Sequence, residues 1–429
     1  MTSSIRVAIV GGGVAGASLL HALVKFPHLD VHIFESATEF KDAGMAFGLA
    51  RNAQAALQLI GPSAVQCLER AGAVPMKGVR FMIAHGDAAG SLADETADAV
   101  PGKSLTSIVH RAPFLQELLA DIPRDRMHAS KKLEKVDQKN GPVTLYFTDG
   151  TTHECDILVG ADGIHSTVRK LILGEDDAAA VPRNSGGWLL MTLQPFDKAQ
   201  ASLGQELVDI DNAREYSWIG QNAVLLHNIL SNGEQVQFVI ASNDTEVESA
   251  HLDHWQRNVG VDEIKKLFKD YPPPLNKAVD ELLCNVPEHK ALYLWEHPNA
   301  RTYVSGPMCI MGDAAHSTTP WHGSGGGMSV EDSFILSTLL GRARTPSEAL
   351  TALKAYDRVR RPRTQRIVES SRATGEMLMG RHAETGLDPK KFRSFCARWD
   401  FIIEIDMEKH RDEALQIMEA GLKGEDTIL

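Results

Sequence analysis

Three separated stretches of the chain carry residue types at spacings that suit one task. The first is Gly11-x-Gly13-x-x-Gly16, directly after the apolar run Val7-Ala8-Ile9-Val10, with Glu35 some twenty residues on. Glycines at these positions allow a tight turn and let the backbone come close to a pyrophosphate. A helix starting at Val14 and Ala15 then offers free N–H groups and partial positive charge to the anion. Glu35 is placed to accept hydrogen bonds from the hydroxyls of an adenosine ribose and to disfavour a 2′-phosphate, so the pattern suits FAD or NAD rather than NADP. The second stretch is Asp156-Ile157-Leu158-Val159-Gly160-Ala161-Asp162-Gly163, continuing to Ser166 and Arg169. The third is Gly312-Asp313-Ala314-Ala315-His316, followed by Pro320 and by Gly323, Gly325, Gly326 and Gly327, with Met328 starting a helix. N–H groups of that glycine run can face a site where negative charge collects, the electrostatic logic of an oxyanion hole.

The elements needed to position these residues are legible. Ile5 to Val10 reads as a buried parallel strand, Val14 onward as a helix ended by Pro27, and Val31 to Phe34 as a second strand closing on Glu35. That βαβ unit of about 30 residues is the context the glycine motif requires. Pro113 to Leu119 reads as helix; Val143 to Phe147 and Ile157 to Val159 read as strands. Between about 181 and 300 the character changes. Trp188 to Leu193, Ala223 to Leu230 and Gln235 to Ala241 are strand-like runs separated by turn residues, which predicts an antiparallel sheet. Asn276 to Leu283 follows three prolines as helix, Met308 to Met311 returns as strand, and Glu331 to Leu340 reads as an amphipathic helix. Ser347 to Glu376 is mainly helix, and its basic run, Arg358, Arg360, Arg361, Arg363 and Arg366, reads as a solvated face.

Composition narrows the classes. The 429 residues carry a net charge of −12, which speaks against nucleic acid and anionic membranes as partners. The five cysteines are scattered, with no CxxC or Cys/His ligand spacing, so neither a disulfide framework nor a metal site is expected. No run of about 18 apolar residues predicts a membrane span, and the tail Asp426-Thr427-Ile428-Leu429 spells no peroxisomal or reticulum signal. A cytoplasmic protein, monomer or homodimer, is the expectation.

The order of the three motifs resembles the single-component FAD-dependent aromatic hydroxylases, the group A flavoprotein monooxygenases. Gly323-Ser324-Gly325-Gly326-Gly327-Met328-Ser329-Val330-Glu331-Asp332 and the stretch Trp399-Asp400-Phe401-Ile402 to Asp406 look most like salicylate hydroxylases and related fungal phenol or polyketide hydroxylases. The resemblance implies an α/β fold in which a Rossmann-like FAD-binding domain (1–180 and 301–345) carries an antiparallel substrate domain (181–300) and a helical C-terminal region (346–429). It implies FAD as cofactor, NADH or NADPH and O2 as co-substrates, and hydroxylation of a small phenolic, salicylate-like ring through a flavin C4a-hydroperoxide. It implies Asp162 near the pyrophosphate, Asp313 on a ribityl hydroxyl, Pro320 beside the reactive flavin edge, Arg111 on the ribityl or phosphate region, and Asn52 in a segment lining the cofactor. The other reading the motifs allow is a flavin-dependent oxidase or epoxidase with a non-aromatic substrate.

On the substrate side the chain departs from that family. Gly186-Gly187-Trp188-Leu189 stands where many relatives have an arginine, Asn228 follows His227 where many have tyrosine, and Trp321 follows Pro320 where salicylate-type relatives have histidine. His227 and His322 are the polar candidates left to hydrogen-bond or deprotonate a phenol, with a structural role as the alternative. Trp188 and Trp321 either wall an aromatic pocket or fill core.

Overall fold

A computed structural model describes residues 4–41, 44, 46–100, 102–138, 142–243, 254–392 and 395–425. The tail from 426 to 429 lies outside the described residues. The run Ile5–Val10 forms the middle of a six-stranded sheet, ordered Val304–Ser305, Met308–Ile310, Ile157–Gly160, Ile5–Val10, Leu29–Phe34, Met127–His128. All its pairings are parallel except the hairpin at the Val304–Ser305 edge. Parallel strands are covered on both faces, which is why these runs are apolar throughout instead of alternating. Helix Val14–Leu23 crosses back over the sheet and buries Leu19, Leu20 and Leu23. It rests against helix Gly325–Arg342, so the first and third motifs meet through their helices.

A second sheet has eight strands, in the order Gln256–Gly260, Glu288–Glu296, Arg183–Pro195, Gln235–Asn243, Ala223–Leu230, Arg214–Ile219, Gly78–Ile83, Leu92–Glu95. Six come from the region expected to hold the substrate. The last two come from residues 78–95, outside the 181–300 span, and Gly78–Ile83 adds in parallel to Arg214–Ile219. These strands are short and their sequences are mixed, so their membership is fixed by the partner edge and not by a local pattern. A three-stranded sheet, Ala46–Ala50, Thr106–His110, Val74–Met76, lies between the two larger ones.

Alternation along the strands divides the large sheet into two faces. The rear face carries Trp188, Leu190, Tyr216, Leu225, Phe238 and Ile240 against helices Phe196–Leu203, Val261–Phe268 and Pro273–Ala278. His227 belongs to this rear face, its ring stacked on Tyr216 at 5.1 Å and tilted against Phe238. The front face carries Leu189, Ile219, Val224 and Ala241 toward Trp321, Met377 and Trp399.

The C-terminal region is helical, with Pro346–Leu378 running 33 residues and Met407–Leu422 laid against it. Helix Gly325–Arg342 departs from the amphipathic expectation: 14 of its 18 residues are buried, including Glu331 and Asp332. A helix enclosed on every side must pair any charge it carries.

Burial pushes the His227 imidazole down to about 3, and among the described residues its Nε2 has no hydrogen-bond partner. The folded ring stays neutral below pH 6.5, where an unfolded one takes a proton. This contribution to stability is complete above pH 6.5 and is lost as pH falls toward 3. His227→Phe is therefore expected to flatten the pH dependence of unfolding between pH 6.5 and 4 by up to one proton, about 1.4 kcal/mol per pH unit. Urea titrations at pH 6, 5 and 4 measure it, and an unchanged slope contradicts it.

Candidate active site

Gly11 has φ +109°, and a Cβ there would lie 2.2 Å from the carbonyl oxygen of Ala161. A Cβ on Gly16 would lie 2.0 Å from the oxygen of Gly11, so helix Val14–Leu23 sits hard against the turn. Gly13 is the opposite case: a Cβ there meets nothing within 4 Å. The open space lies in front of Val14, Ala15 and Gly16, whose N–H groups have no partner within the helix. Glu35 is pinned beside it, accepting from the N–H of Gly12 at 2.6 Å and of Ala37 at 2.7 Å. A crowded turn, an open anion-sized gap and a fixed carboxylate are what an adenosine diphosphate group needs, so the residues present fit FAD.

The second and third motifs meet through Arg169. Its buried guanidinium donates to the carbonyls of Ala314 at 2.9 Å, Ala315 at 2.6 Å, Pro298 at 2.9 Å and Ala179 at 2.6 Å. Burial lowers its pKa to about 10, so it stays charged. Asp162 is engaged inward: it accepts from Ser166 Oγ at 2.5 Å and the N–H groups of Thr167 and Val168 at 2.7 and 3.2 Å, fixing the start of helix Thr167–Leu173. Its carboxylate therefore organises the turn, and its Cα lies 2.8 Å from where a Cβ on Gly11 would stand, so the residue borders the glycine turn beside the expected pyrophosphate space. Gly312, at φ +58°, brings that turn against Ala15, whose Cβ a side chain at 312 would meet at 2.7 Å. Asp313 then opens the short helix Asp313–His316, exposed and without a hydrogen bond to its carboxylate among the described residues. It fits the expected ribityl contact.

Under this turn lies a buried ionic cluster. Asp332 accepts from the Gly312 N–H at 3.0 Å, His316 Nε2 at 2.6 Å and Arg360 Nε at 2.8 Å. Glu331 accepts from Arg360 Nη1 at 2.6 Å, from Arg363 Nε and Nη2 at 2.8 Å each, and from Asn52 Nδ2 at 2.5 Å. Burial alone would raise both carboxyls; the two arginines hold Glu331, and His316 with Arg360 hold Asp332, below the ordinary range. The cluster corrects two expectations. Arg360 is fully buried and Arg363 nearly so, so this part of the basic run is no solvated face. Asn52 serves the cluster from below, with 2 % exposure.

Gly323, at φ +59°, closes the turn Pro320–His322 and leads into helix Gly325–Arg342. Gly326 abuts Phe47, 2.4 Å from where a Cβ would stand, Gly327 abuts Ala53, and Met328 is buried. Arg111 opens helix Arg111–Leu119 at the end of strand Thr106–His110.

Exposed Pro320 borders a cleft of about 470 Å³ whose far wall is Leu189, Met191, Trp255 and Trp295. The two tryptophan rings stack at 4.2 Å, and the His165 ring lies 4.2 Å from Trp255. Of the other substrate-side candidates, Trp188 and His227 are turned to the rear face, whereas Trp321 and His322 stand on the glycine-loop side. Trp188 is 1 % exposed and points to the rear, with Arg257 over its ring; Leu189, one residue on, takes the front. His227 is also at the rear. Trp321 packs against Gly375 of the long helix. His322 is buried beside it, hydrogen-bonded to Ser370 Oγ at 2.9 Å, edge-on to Trp399, and lowered to about 4 by burial. Among the described residues no His, Cys, Asp or Glu cluster could hold a metal ion, and no helix is long and apolar enough to cross a membrane.

A family model described as an FAD binding domain matches residues 4–371. The chain belongs to this family. The chain is 34% identical to the 6-methylsalicylate 1-monooxygenase of Aspergillus terreus, over 97% of this chain and 93% of that one. A salicylate hydroxylase of Pseudomonas putida is 30% identical over 96% and 94%. A solved salicylate hydroxylase in complex with substrate superposes with a TM-score of 0.82 at 26% identity, covering 96% of this chain and 98% of that one. The chain is an FAD-dependent monooxygenase of the salicylate hydroxylase type.

Two outcomes follow from the site. Arg360→Met leaves Glu331 and Asp332 short of a buried partner and is expected to cost about 3–5 kcal/mol in chemical denaturation; a loss below about 1 kcal/mol contradicts the role given to the cluster. Asp313→Ala is expected to purify with little flavin but with a native circular dichroism spectrum, and full flavin occupancy contradicts the ribityl contact.

Proposed function

We propose that the chain hydroxylates a small phenolic ring, using FAD, NADH or NADPH, and O2. The observation that carries this is the cleft walled by Leu189, Met191, Trp255 and Trp295 with Pro320 of the glycine loop on its border. Such a wall takes up a flat apolar ring and presents it to whatever that loop holds. Bound FAD supplies the redox chemistry, moving electrons from the nicotinamide to O2 so that one oxygen atom enters the ring and the other leaves as water.

The protein's part is binding, orientation and exclusion of water. Gly11, Gly13 and Gly16, with the N–H groups of Val14 and Ala15, hold the pyrophosphate; Glu35 holds the adenosine ribose. Asp313 holds the ribityl chain and Arg111 the ribityl or phosphate region. Gly323, Gly325, Gly326 and Gly327 turn backbone N–H groups and the N-terminal end of an 18-residue helix toward the flavin pyrimidine, where negative charge gathers on reduction. Asp162 and Met328 shape these turns from behind. The substrate names of the relatives, salicylate and 6-methylsalicylate, give the first compounds to try.

The test is oxidation of NADH and NADPH in air by the flavin-loaded protein with salicylate, 6-methylsalicylate and 3-methylphenol, with ring products and hydrogen peroxide quantified. Stimulated oxidation matched by hydroxylated product is expected with at least one phenol. Stoichiometric peroxide with every phenol contradicts the proposal and points to an oxidase.

A further inference from the structure

The front face of the large sheet carries one polar row among apolar neighbours. Asn228 pairs with Gln237 across the ladder. Glu215 precedes Tyr216, the partner of His227, which sets Glu215 level with Asn228. Gln237 Nε2 donates to Asn228 Oδ1 at 3.5 Å, and Gln237 Oε1 accepts from the Ala46 N–H at 3.1 Å. Ala46 opens the strand whose next residue, Phe47, abuts Gly326. The row thus stands opposite the backbone that flanks the flavin-side glycine turn.

Gln237 is engaged on both sides, by Asn228 and by the Ala46 N–H, whereas Glu215 has no partner among the described residues. No hydrogen bond or ion pair reaches its carboxyl among the described residues, yet it is enclosed by protein and keeps some accessible surface. Glu215 is half-buried, as are Met191, Leu226 and Val239 on the same front face, so its carboxyl shares that face's accessible side with them. Charged neighbours are turned elsewhere: Arg214 of the same strand pairs with Asp98, and Arg80 of the adjoining strand pairs with Glu95 at 3.0 Å. In the three short strands that cover this end, Ala46–Ala50, Val74–Met76 and Thr106–His110, the one titratable side chain is His110, whose Nδ1 is buried without a partner. Burial pushes the Glu215 carboxyl up to about 7, the poise of a general base at neutral pH.

We infer that Glu215 accepts the proton of the substrate's phenolic hydroxyl, so that the anchored group of the substrate is a phenol oxygen and not a carboxylate. This rests on the phenol-hydroxylating function proposed above. Neither the adjoining front-face positions Ser217, Leu226 and Val239 nor Met191 and Leu189, three strands away on the same face, provide a cation for a carboxylate. In the step, the phenol O–H bond breaks and its proton passes to a Glu215 oxygen, leaving a phenolate and a neutral carboxylic acid. The phenolate lone pair enriches the ring carbons ortho and para to it, where the electrophilic oxygen derived from O2 attaches. The hydrogen displaced from that carbon leaves as a proton when the ring rearomatises, and Glu215 returns its own proton to the phenolate oxygen.

The test uses the FAD-loaded full chain, with 3-methylphenol and its carboxylated counterpart 6-methylsalicylate as probes. Binding is read from the change in flavin absorbance, and kcat/KM for phenol-dependent NADH or NADPH oxidation is read from pH 5.5 to 8.5. The wild type is expected to show kcat/KM for 3-methylphenol rising through one ionisation near pH 7. Glu215→Gln is expected to lose that ionisation and about a hundredfold in kcat/KM at pH 8. Glu215→Asp, which keeps a carboxylate, is expected to retain an ionisation at a shifted midpoint; FAD stoichiometry checks the fold of each variant. A Glu215→Gln enzyme with the wild-type pH profile, whether at full or reduced rate, overturns the inference and leaves the proposed function standing. A wild type that no phenol stimulates overturns both.

Discussion

Glu331 and Asp332 are consecutive on a helix, fully enclosed, and charged. The rest of the site depends on how that is resolved. Two arginines one turn apart on the long C-terminal helix, a histidine from the third motif and an asparagine from helix Arg51–Ile60 converge on the pair. Apolar side chains of the same volume could bind those helices together as well, since buried ion pairs recover little more than their desolvation. They could not accept the N–H of Gly312. That bond ties a backbone turn at the cofactor surface to charges buried behind it, and Arg169 ties the same turn to the second motif by its carbonyls.

The cofactor side is therefore built mostly from main chain held at close quarters. Gly11, Gly16 and Gly312 stand where backbone atoms or a neighbouring Cβ already fill the space of a side chain, whereas Gly13 and Gly323 stand where nothing does. The first group fixes the turns. The second leaves room for a ligand. Side chains enter as supports: Glu35 held by two N–H groups, Asp162 capping a helix, Asp313 left free at the surface.

This division accounts for what could be read from the sequence. Glycine spacing and the apolar runs that precede it report backbone geometry directly, so the βαβ unit, the order of the three motifs and the antiparallel strand Ala223–Leu230 were legible. The substrate side was not. Its strands are buried on both faces, so Trp188 and Leu189, or His227 and Asn228, show no alternation that tells front from rear. Choosing by chemical type favoured the tryptophan and the histidine, and the fold turned both to the rear. Arg360 and Arg363 read as surface charge because their partners lie about thirty residues earlier on a helix whose burial depends on several elements distant in sequence. Parity and long-range burial are tertiary facts, and one sequence alone carries little trace of them.

The two faces of the large sheet also separate two kinds of evolutionary change. Substitutions at rear positions such as Leu190, Phe238 or Ile240 alter the packing of the whole domain, so they are screened by folding before function is consulted. Substitutions at front positions such as Met191, Leu226 or Val239 alter the shape of the chamber while the cofactor turns, anchored in another sheet, stay as they are. Such a scaffold can wander among substrates without renegotiating its redox machinery. A directed library confined to alternate residues of four adjacent strands would sample selectivity at little expense to the fold.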